Sequence, residues 1–140
     1  MKDVISKLIN VINNFDDKNY FLSILTYYNA ATILNKKPAT LLTLKDDNRN
    51  LKELWKAYKD DFSAKTNLNY IEIRETKNSI LILFYNKKSL EKTLFQDAHM
   101  KFLESFGYEK NMSLDDCLQL LKQRFYKMCP HEMAYFLEYH

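Results

Sequence analysis

The stretch LNYIEIRETKNSILILFY, residues 68–85, decides the fold of this chain. Its first part, residues 68–75, alternates apolar with polar side chains, which is the pattern of a half-buried strand. Its last part, residues 80–85, is almost continuously apolar, as a central strand covered on both faces would be. The residues between them, 76–79, are polar and suit a turn. The stretch therefore predicts a β-hairpin.

The sequence on both sides of the hairpin predicts one more strand and several helices. Residues 40–44 favour a short strand. Apolar side chains recur at helical spacing in six other segments, which are about 3–15, 18–34, 51–62, 89–106 (with a break near Gln96-Asp97 as the alternative), 114–127 and the segment from Pro130 onward. We therefore predict a single α+β domain over residues 1–140. In it, a small three-stranded sheet, with its hairpin at about 68–85, packs against five to six helices.

Local signals mark where several of these helices begin and end. Asp16 and Ser113 stand where their side chains could cap a following helix, and Asn50 with Glu53 resembles a capping box. Gly107, the only glycine, follows a predicted helix at a position that favours a left-handed backbone. Other turns with positive φ must use asparagine. With one glycine, the chain has no glycine-rich phosphate loop, which excludes P-loop and Rossmann-type nucleotide binding.

Composition predicts a cytoplasmic protein that does not enter a membrane. Hydrophobic residues make up 46% and charged residues 28% of the chain, which are ordinary globular values. There are two cysteines and no recognisable signal peptide, so we expect free thiols in a reducing compartment. No apolar run approaches the roughly 20 residues that a membrane span needs. The net charge of +3 is small for a nucleic-acid-binding protein.

The stretch RFYKMCPHEMAYFLEYH, residues 124–140, holds the residues that most resemble a reactive site. If Pro130 is the first residue of a helix, Cys129 is its N-cap, and the helix terminus and a charged His131 would stabilise a thiolate. Alternatively, Glu132 completes a capping interaction, His131 makes a structural hydrogen bond and Cys129 packs as a small apolar residue. Metal-ligand spacings such as Cys-x-x-Cys are absent, so we predict neither a metal site nor a cofactor.

Three stretches, KPATLLTL (37–44), ILILFYNKKSLEKTL (80–94) and PHEMAYFLEYH (130–140), carry a family likeness. In order and spacing they resemble segments of the bacterial, clostridial-type domain of unknown function family 3793, over roughly residues 25–140. The chain departs from the family pattern at Tyr28-Asn29, where His-Cys is common, at Cys129, where an aromatic residue is usual, and after Leu137. We expect a short or divergent member that lacks the family's C-terminal portion. The resemblance implies a role for His131-Glu132 but no known chemistry.

Basic residues cluster in three places, with aromatic residues nearby. The clusters are Lys36-Lys37, Lys87-Lys88-Lys92 and Lys122-Arg124-Lys127. Phosphate contacts combined with base stacking would suit a binder of single-stranded nucleic acid. Acidic residues are interspersed along the chain, so solvated surface is the alternative interpretation.

Tyrosine is in excess, with 10 tyrosines in 140 residues, and tyrosine is enriched at protein interfaces. We therefore predict a non-catalytic binding or adaptor protein whose partner is another protein or a second copy of the chain; a phage or mobile-element inhibitor of a host protein is one specific version. The alternatives are a nucleic-acid-binding protein and a thiol-dependent enzyme, whose candidate residues are Cys129, His131 and Glu132. The predicted binding residues are Arg124, Tyr126, Lys127, His131, Glu132, Tyr135 and Tyr139.

Overall fold

A computed structural model describes residues 2–125 and 129–137 of the chain. Within these residues the elements follow in the order α1 Lys2–Asn13, α2 Asp17–Tyr28, α3 Ala30–Ile33, β1 Ala39–Lys45, α4 Leu51–Thr66, β2 Asn69–Glu75, β3 Ser79–Tyr85, α5 Lys87–Leu94, α6 Asp97–Glu104, α7 Leu114–Arg124 and α8 Met133–Leu137. The α+β class and the three-stranded sheet with its hairpin are confirmed. The described residues form eight helices rather than five to six, because two predicted helices are each divided in two.

Both divisions have a local backbone cause. The predicted helix over 18–34 stops at Tyr28, and Asn29 separates α2 from the single turn of α3. The predicted helix over 89–106 is interrupted at two residues. Phe95 is the C-cap of α5, and Gln96, which has an extended backbone, is the N-cap of α6. The alternative of a break near Gln96-Asp97 is therefore confirmed.

The sheet has the strand order β1-β3-β2, and both pairings are antiparallel. Strand β3 is central, which explains why its sequence is apolar at almost every position. Its alternating side chains enter two different cores: Ile80, Ile82 and Phe84 lie in one, whereas Leu83 and Tyr85 lie in the other. The register of β2 on β3 shifts between Glu72 and Arg74, which marks a bulge in the edge strand.

Helices cover each face of the sheet. On one face, α2 and α4 contribute Phe21, Leu25, Trp55 and Phe62 to the core around Phe84. On the other face lie buried residues of α5, α6, α7 and α8, which include Leu90, Leu94, Met100, Leu103, Leu118, Leu121 and Phe136. Helices of the described residues therefore pack on both faces of the sheet.

Most of the predicted caps form. Asp16 accepts a hydrogen bond from the Asn19 amide at 2.8 Å, and Ser113 accepts one from the Asp116 amide at 3.1 Å. Asn50 is the N-cap of α4 but forms no side-chain capping bond there. Gly107 has a φ of 98°, and the two other positive φ values in the described residues belong to Asn35 and Asn67. Asparagine therefore does replace glycine at left-handed positions, as predicted.

Candidate interaction surface

The predicted site residue Glu132 is completely buried and ion-paired. Arg124, at the end of α7, donates to it from both Nε and Nη2, the second bond measuring 3.1 Å to Oε1. The hydroxyl of Tyr108 donates to Oε2 at 2.9 Å. The Arg124 guanidinium also lies 4.5 Å from the centre of the Phe106 ring. Glu132 thus ties the segment before α8 to α7 and to the loop after α6.

The protonation states of Tyr108 and Arg124 favour a structural role for their hydrogen bonds to Glu132. Burial, with the Glu132 carboxylate, raises the pKa of Tyr108 well above its usual range, so the hydroxyl stays protonated and donates a hydrogen bond to Glu132. The hydrogen bonds to Glu132 raise the pKa of Arg124, which keeps the guanidinium charged. The three side chains are hydrogen-bonded to one another, which is the arrangement of a structural cluster.

The predicted helix start at Pro130 is wrong, because α8 begins at Met133. The residues before it form turns, in which the Met133 amide donates to the Pro130 carbonyl at 3.1 Å and the Tyr135 amide to the Glu132 carbonyl at 3.0 Å. Cys129 is therefore not the N-cap of a helix. Desolvation, with the charge of Glu132, raises the pKa of its thiol, which is the opposite of activation. The buried Cys117 has a pKa raised to about 11 by burial.

Of the remaining predicted binding residues, the structure describes His131 and Tyr135. His131 is exposed, whereas Tyr135 is half-buried and stacks on Phe102 with their ring centres 4.6 Å apart. Tyr126, Lys127 and Tyr139 lie outside the described residues. Within the described ranges, no group of three or more His, Cys, Asp and Glu side chains is arranged to hold a metal ion.

A surface that the predictions missed lies at the other end of the chain. Nine large apolar side chains on and around α1 and α2 are between 36% and 68% exposed, and these are Val4, Ile5, Leu8, Ile9, Val11, Phe15, Tyr27, Tyr28 and Leu34. They are the exposed large hydrophobic residues of the described chain, and all of them lie between positions 4 and 34. We call this set the amino-terminal apolar surface.

The surface is exposed because α1 has too wide an apolar face for its single neighbour. Its apolar residues spread over an arc of roughly 160° at 3.6 residues per turn. Helix α2 is the main element packed against α1, and Ile12 is the apolar residue of α1 that it partly covers. A cleft remains on each side, one of about 210 Å³ lined by Ile5, Ile9 and Tyr28, the other of about 450 Å³ lined by Phe15 and Leu22.

Arg49 holds this surface in place. Its Nη2 donates to the carbonyls of Asn13 and Phe15, both at 2.9 Å, at the carboxyl end of α1. Its Nη1 donates to Asp17 at 3.1 Å, and its guanidinium lies 3.9 Å from the centre of the Tyr20 ring. The turn between α1 and α2 is therefore fixed to the loop before α4. The exposed side chains belong to an anchored helix pair.

The surface carries no charge where it is concave. The residues that line the two clefts are apolar or uncharged polar, and the polar ones include Asn13, Asn19, Ser23 and Thr26. From Asn19 to Asn35 the sequence has no charged residue at all. A partner that binds in these clefts would therefore bury no charged side chain of this chain and could form no ion pair with one.

Two of the predicted lysine clusters come together. The Asn86 amide donates to the Pro38 carbonyl at 2.9 Å, which places Lys36-Lys37 beside Lys87-Lys88. None of these four lysines takes part in an ion pair among the described residues. In the third cluster Arg124 is ion-paired with Glu132, and Lys127 lies outside the described residues.

The fold and the surface define a class: an α+β protein with an antiparallel three-stranded sheet, helices on both faces and an anchored, uncovered helix pair at its amino-terminal end. A family model described as "Protein of unknown function (DUF3793)" matches residues 25–140, and the chain belongs to this family. The resemblance inferred from the sequence is thereby confirmed. Searches of curated proteins and of solved structures found no match. None of the helices in the described residues is both long and apolar enough to cross a membrane.

Proposed function

We propose that this chain binds a protein through the amino-terminal apolar surface. The observation that carries the proposal is the confinement of all nine exposed large hydrophobic side chains of the described residues to positions 4–34. Single exposed apolar residues are normal, but a large exposed apolar patch marks an interaction site. Six of the nine residues line two clefts that share Leu8 and Tyr27. The unpaired thiols of Cys117 and Cys129 favour a cytoplasmic setting for this binding.

The proposal moves the interface away from the carboxyl-terminal helix. In that helix Met133 and Phe136 are buried in the chain's own core, and Tyr135 is occupied by Phe102. At the amino-terminal end, Tyr27 and Tyr28 are more than half exposed and stand beside a cleft. Tyrosine offers large contact area at low entropic cost, so this edge suits a protein partner better.

Capture from a lysate of the encoding organism tests the proposal. We expect Ile9→Asp to reduce the amount of captured partner at least about tenfold, because an interface would have to bury an unpaired carboxylate. Ile9 is half exposed, so the change costs the fold little. The matched control is Asn10→Asp, which adds the same charge to an exposed residue that lines neither cleft. Equal capture by Ile9→Asp and the wild type, with the same proteins bound, would contradict the proposal.

Binding of single-stranded nucleic acid is the second candidate, and the juxtaposition of Lys36-Lys37 with Lys87-Lys88 favours it. We expect the double variant Lys87→Ala/Lys88→Ala to weaken oligonucleotide binding and to lower the slope of log affinity against log salt by about one per lysine. Fluorescence anisotropy over a salt series measures both. Lys101→Ala, an exposed lysine on α6, is the control. A slope that is zero, or that the double variant leaves unchanged, would rule this candidate out.

A further inference from the structure

We propose that the occupant of the amino-terminal apolar surface is a second copy of this chain, so that the protein is a twofold-symmetric dimer joined through α1 and α2. This inference rests on the proposed function and names the partner for the same surface. Three properties of the surface support it: its area, its lack of charge and the chemistry of its polar side chains.

The area matches what a stable dimer needs. With about 150–250 Å² for a fully exposed large side chain, the exposed fractions of the nine residues amount to roughly 700–1,200 Å². A standard protein interface buries about 800 Å² on each partner. Interfaces between identical subunits are also more apolar than transient ones, and the side chains here are mainly Val, Ile, Leu and Tyr.

The lack of charge makes the surface complementary to itself. In a twofold interface each residue meets the same patch on the partner, so any charge near the axis faces a like charge. The clefts on both sides of α1 are lined without charged side chains. Among the described side chains of α1 the charged ones are Asp3 and Lys7, and both fall outside its apolar arc by helical periodicity. Two copies can therefore approach without repulsion, whereas a charged partner would gain no ion pair here.

The polar side chains in the clefts fit the same symmetry. Asn13 lines one cleft and Asn19 the other. An asparagine amide both donates and accepts, so two identical asparagines can hydrogen-bond each other across a twofold axis. A lysine or a glutamate in these positions could not pair with its own copy. Ser23, which lines the second cleft, also carries a group that can both donate and accept.

Sedimentation velocity over a dilution series of the full chain tests the dimer. We expect the wild type to move from dimer to monomer on dilution, and both Ile9→Asp and Val11→Asp to raise the dissociation constant at least about 100-fold, since the symmetry introduces each carboxylate twice. Asn10→Asp should change the constant by less than about threefold. Val11 lines neither cleft, so this variant tests the surface apart from the clefts. Circular dichroism on all three variants verifies that each remains folded.

The outcomes separate the two proposals. A wild type that stays monomeric at every concentration contradicts the dimer proposal. The proposed function, protein binding, is then tested by the capture experiment alone. If the wild type is monomeric and Ile9→Asp also leaves capture unchanged, both are wrong. A monomer that cosediments with phospholipid vesicles, and loses that binding in Ile9→Asp, would assign the surface to a membrane interface and overturn both. A dimer that Ile9→Asp and Val11→Asp leave intact would place the interface elsewhere.

Discussion

Replacing Glu132 with alanine is expected to lower the free energy of unfolding by about 3 kcal/mol, because the change strips a buried ion pair of one partner. Glu132 has no exposed surface, and it accepts hydrogen bonds from Arg124 and from Tyr108. The Arg124 side chain is 31% exposed, so water can partly solvate it once it is freed. For this reason we expect a value at the low end for a broken buried pair. Denaturation in urea measures it.

Glu109→Ala is the control for this prediction. Glu109 is the neighbour of Tyr108 in the chain, but it is exposed, and we expect its loss to change stability by no more than about 0.5 kcal/mol. Glu132→Gln keeps the shape and removes the charge, and its effect should fall between those of the two alanine variants. If Glu132→Ala is as stable as Glu109→Ala, then Glu132 does not hold the segment before α8, and a functional role for it would have to be reconsidered.

Replacing Trp55 with alanine is expected to lower the free energy of unfolding by about 4 kcal/mol, in the range for a large aromatic side chain removed from a core. Trp55 is completely buried in α4, with its ring centre 4.9 Å from that of Tyr70 and 5.4 Å from that of Phe84. Its indole nitrogen donates to Glu72 at 2.6 Å. Denaturation in guanidinium, followed by circular dichroism because the tryptophan is lost, measures the change.

Two variants separate the contributions to this effect. Trp55→Phe keeps a buried ring and removes the bond to Glu72, so we expect a smaller loss of about 1–3 kcal/mol. Tyr27→Ala removes an aromatic ring of the amino-terminal apolar surface that is 57% exposed, and we expect a change below about 1 kcal/mol in the unfolding of the monomer. A loss in Tyr27→Ala as large as that in Trp55→Ala would mean that this surface belongs to the core.

The hairpin and the caps could be predicted because they depend on neighbouring residues. The alternation in residues 68–75 and the apolar run in 80–85 each indicate which side chains face a core. The caps of Asp16 and Ser113 reach amides only three residues away. Left-handed backbone at Asn35 likewise depends on one residue.

The start of α8 could not be predicted, because a distant contact determines it. Pro130 favours a helix beginning at its own position. Glu132 is instead drawn into the pair with Arg124 and the bond from Tyr108, a residue 24 positions away in the chain. The backbone from Pro130 to Glu132 therefore forms turns, and the helix begins at Met133. A single sequence does not reveal that pairing.

The amino-terminal apolar surface was missed for a related reason. The spacing in α1 correctly indicated an amphipathic helix, and such a helix normally buries its apolar face. Whether α1 buries its apolar face depends on which helices pack on the sheet. Because α2, α4 and the four carboxyl-terminal helices already fill both faces of the sheet, α1 is left with α2 as its main neighbour. The signal available in the sequence was an apolar helix followed by the uncharged run from Asn19 to Asn35.

Hydrogen–deuterium exchange of the full chain, compared between dilute and concentrated solution, tests the central claim most directly. The claim is that a second copy of the chain binds through the amino-terminal apolar surface and not through the segment around Glu132. We predict slower exchange at high concentration in peptides that cover Lys2–Asn13 and Asp17–Tyr28, with no change in peptides that cover residues 129–137. Unchanged exchange in the first two, or slower exchange confined to residues 129–137, would contradict it.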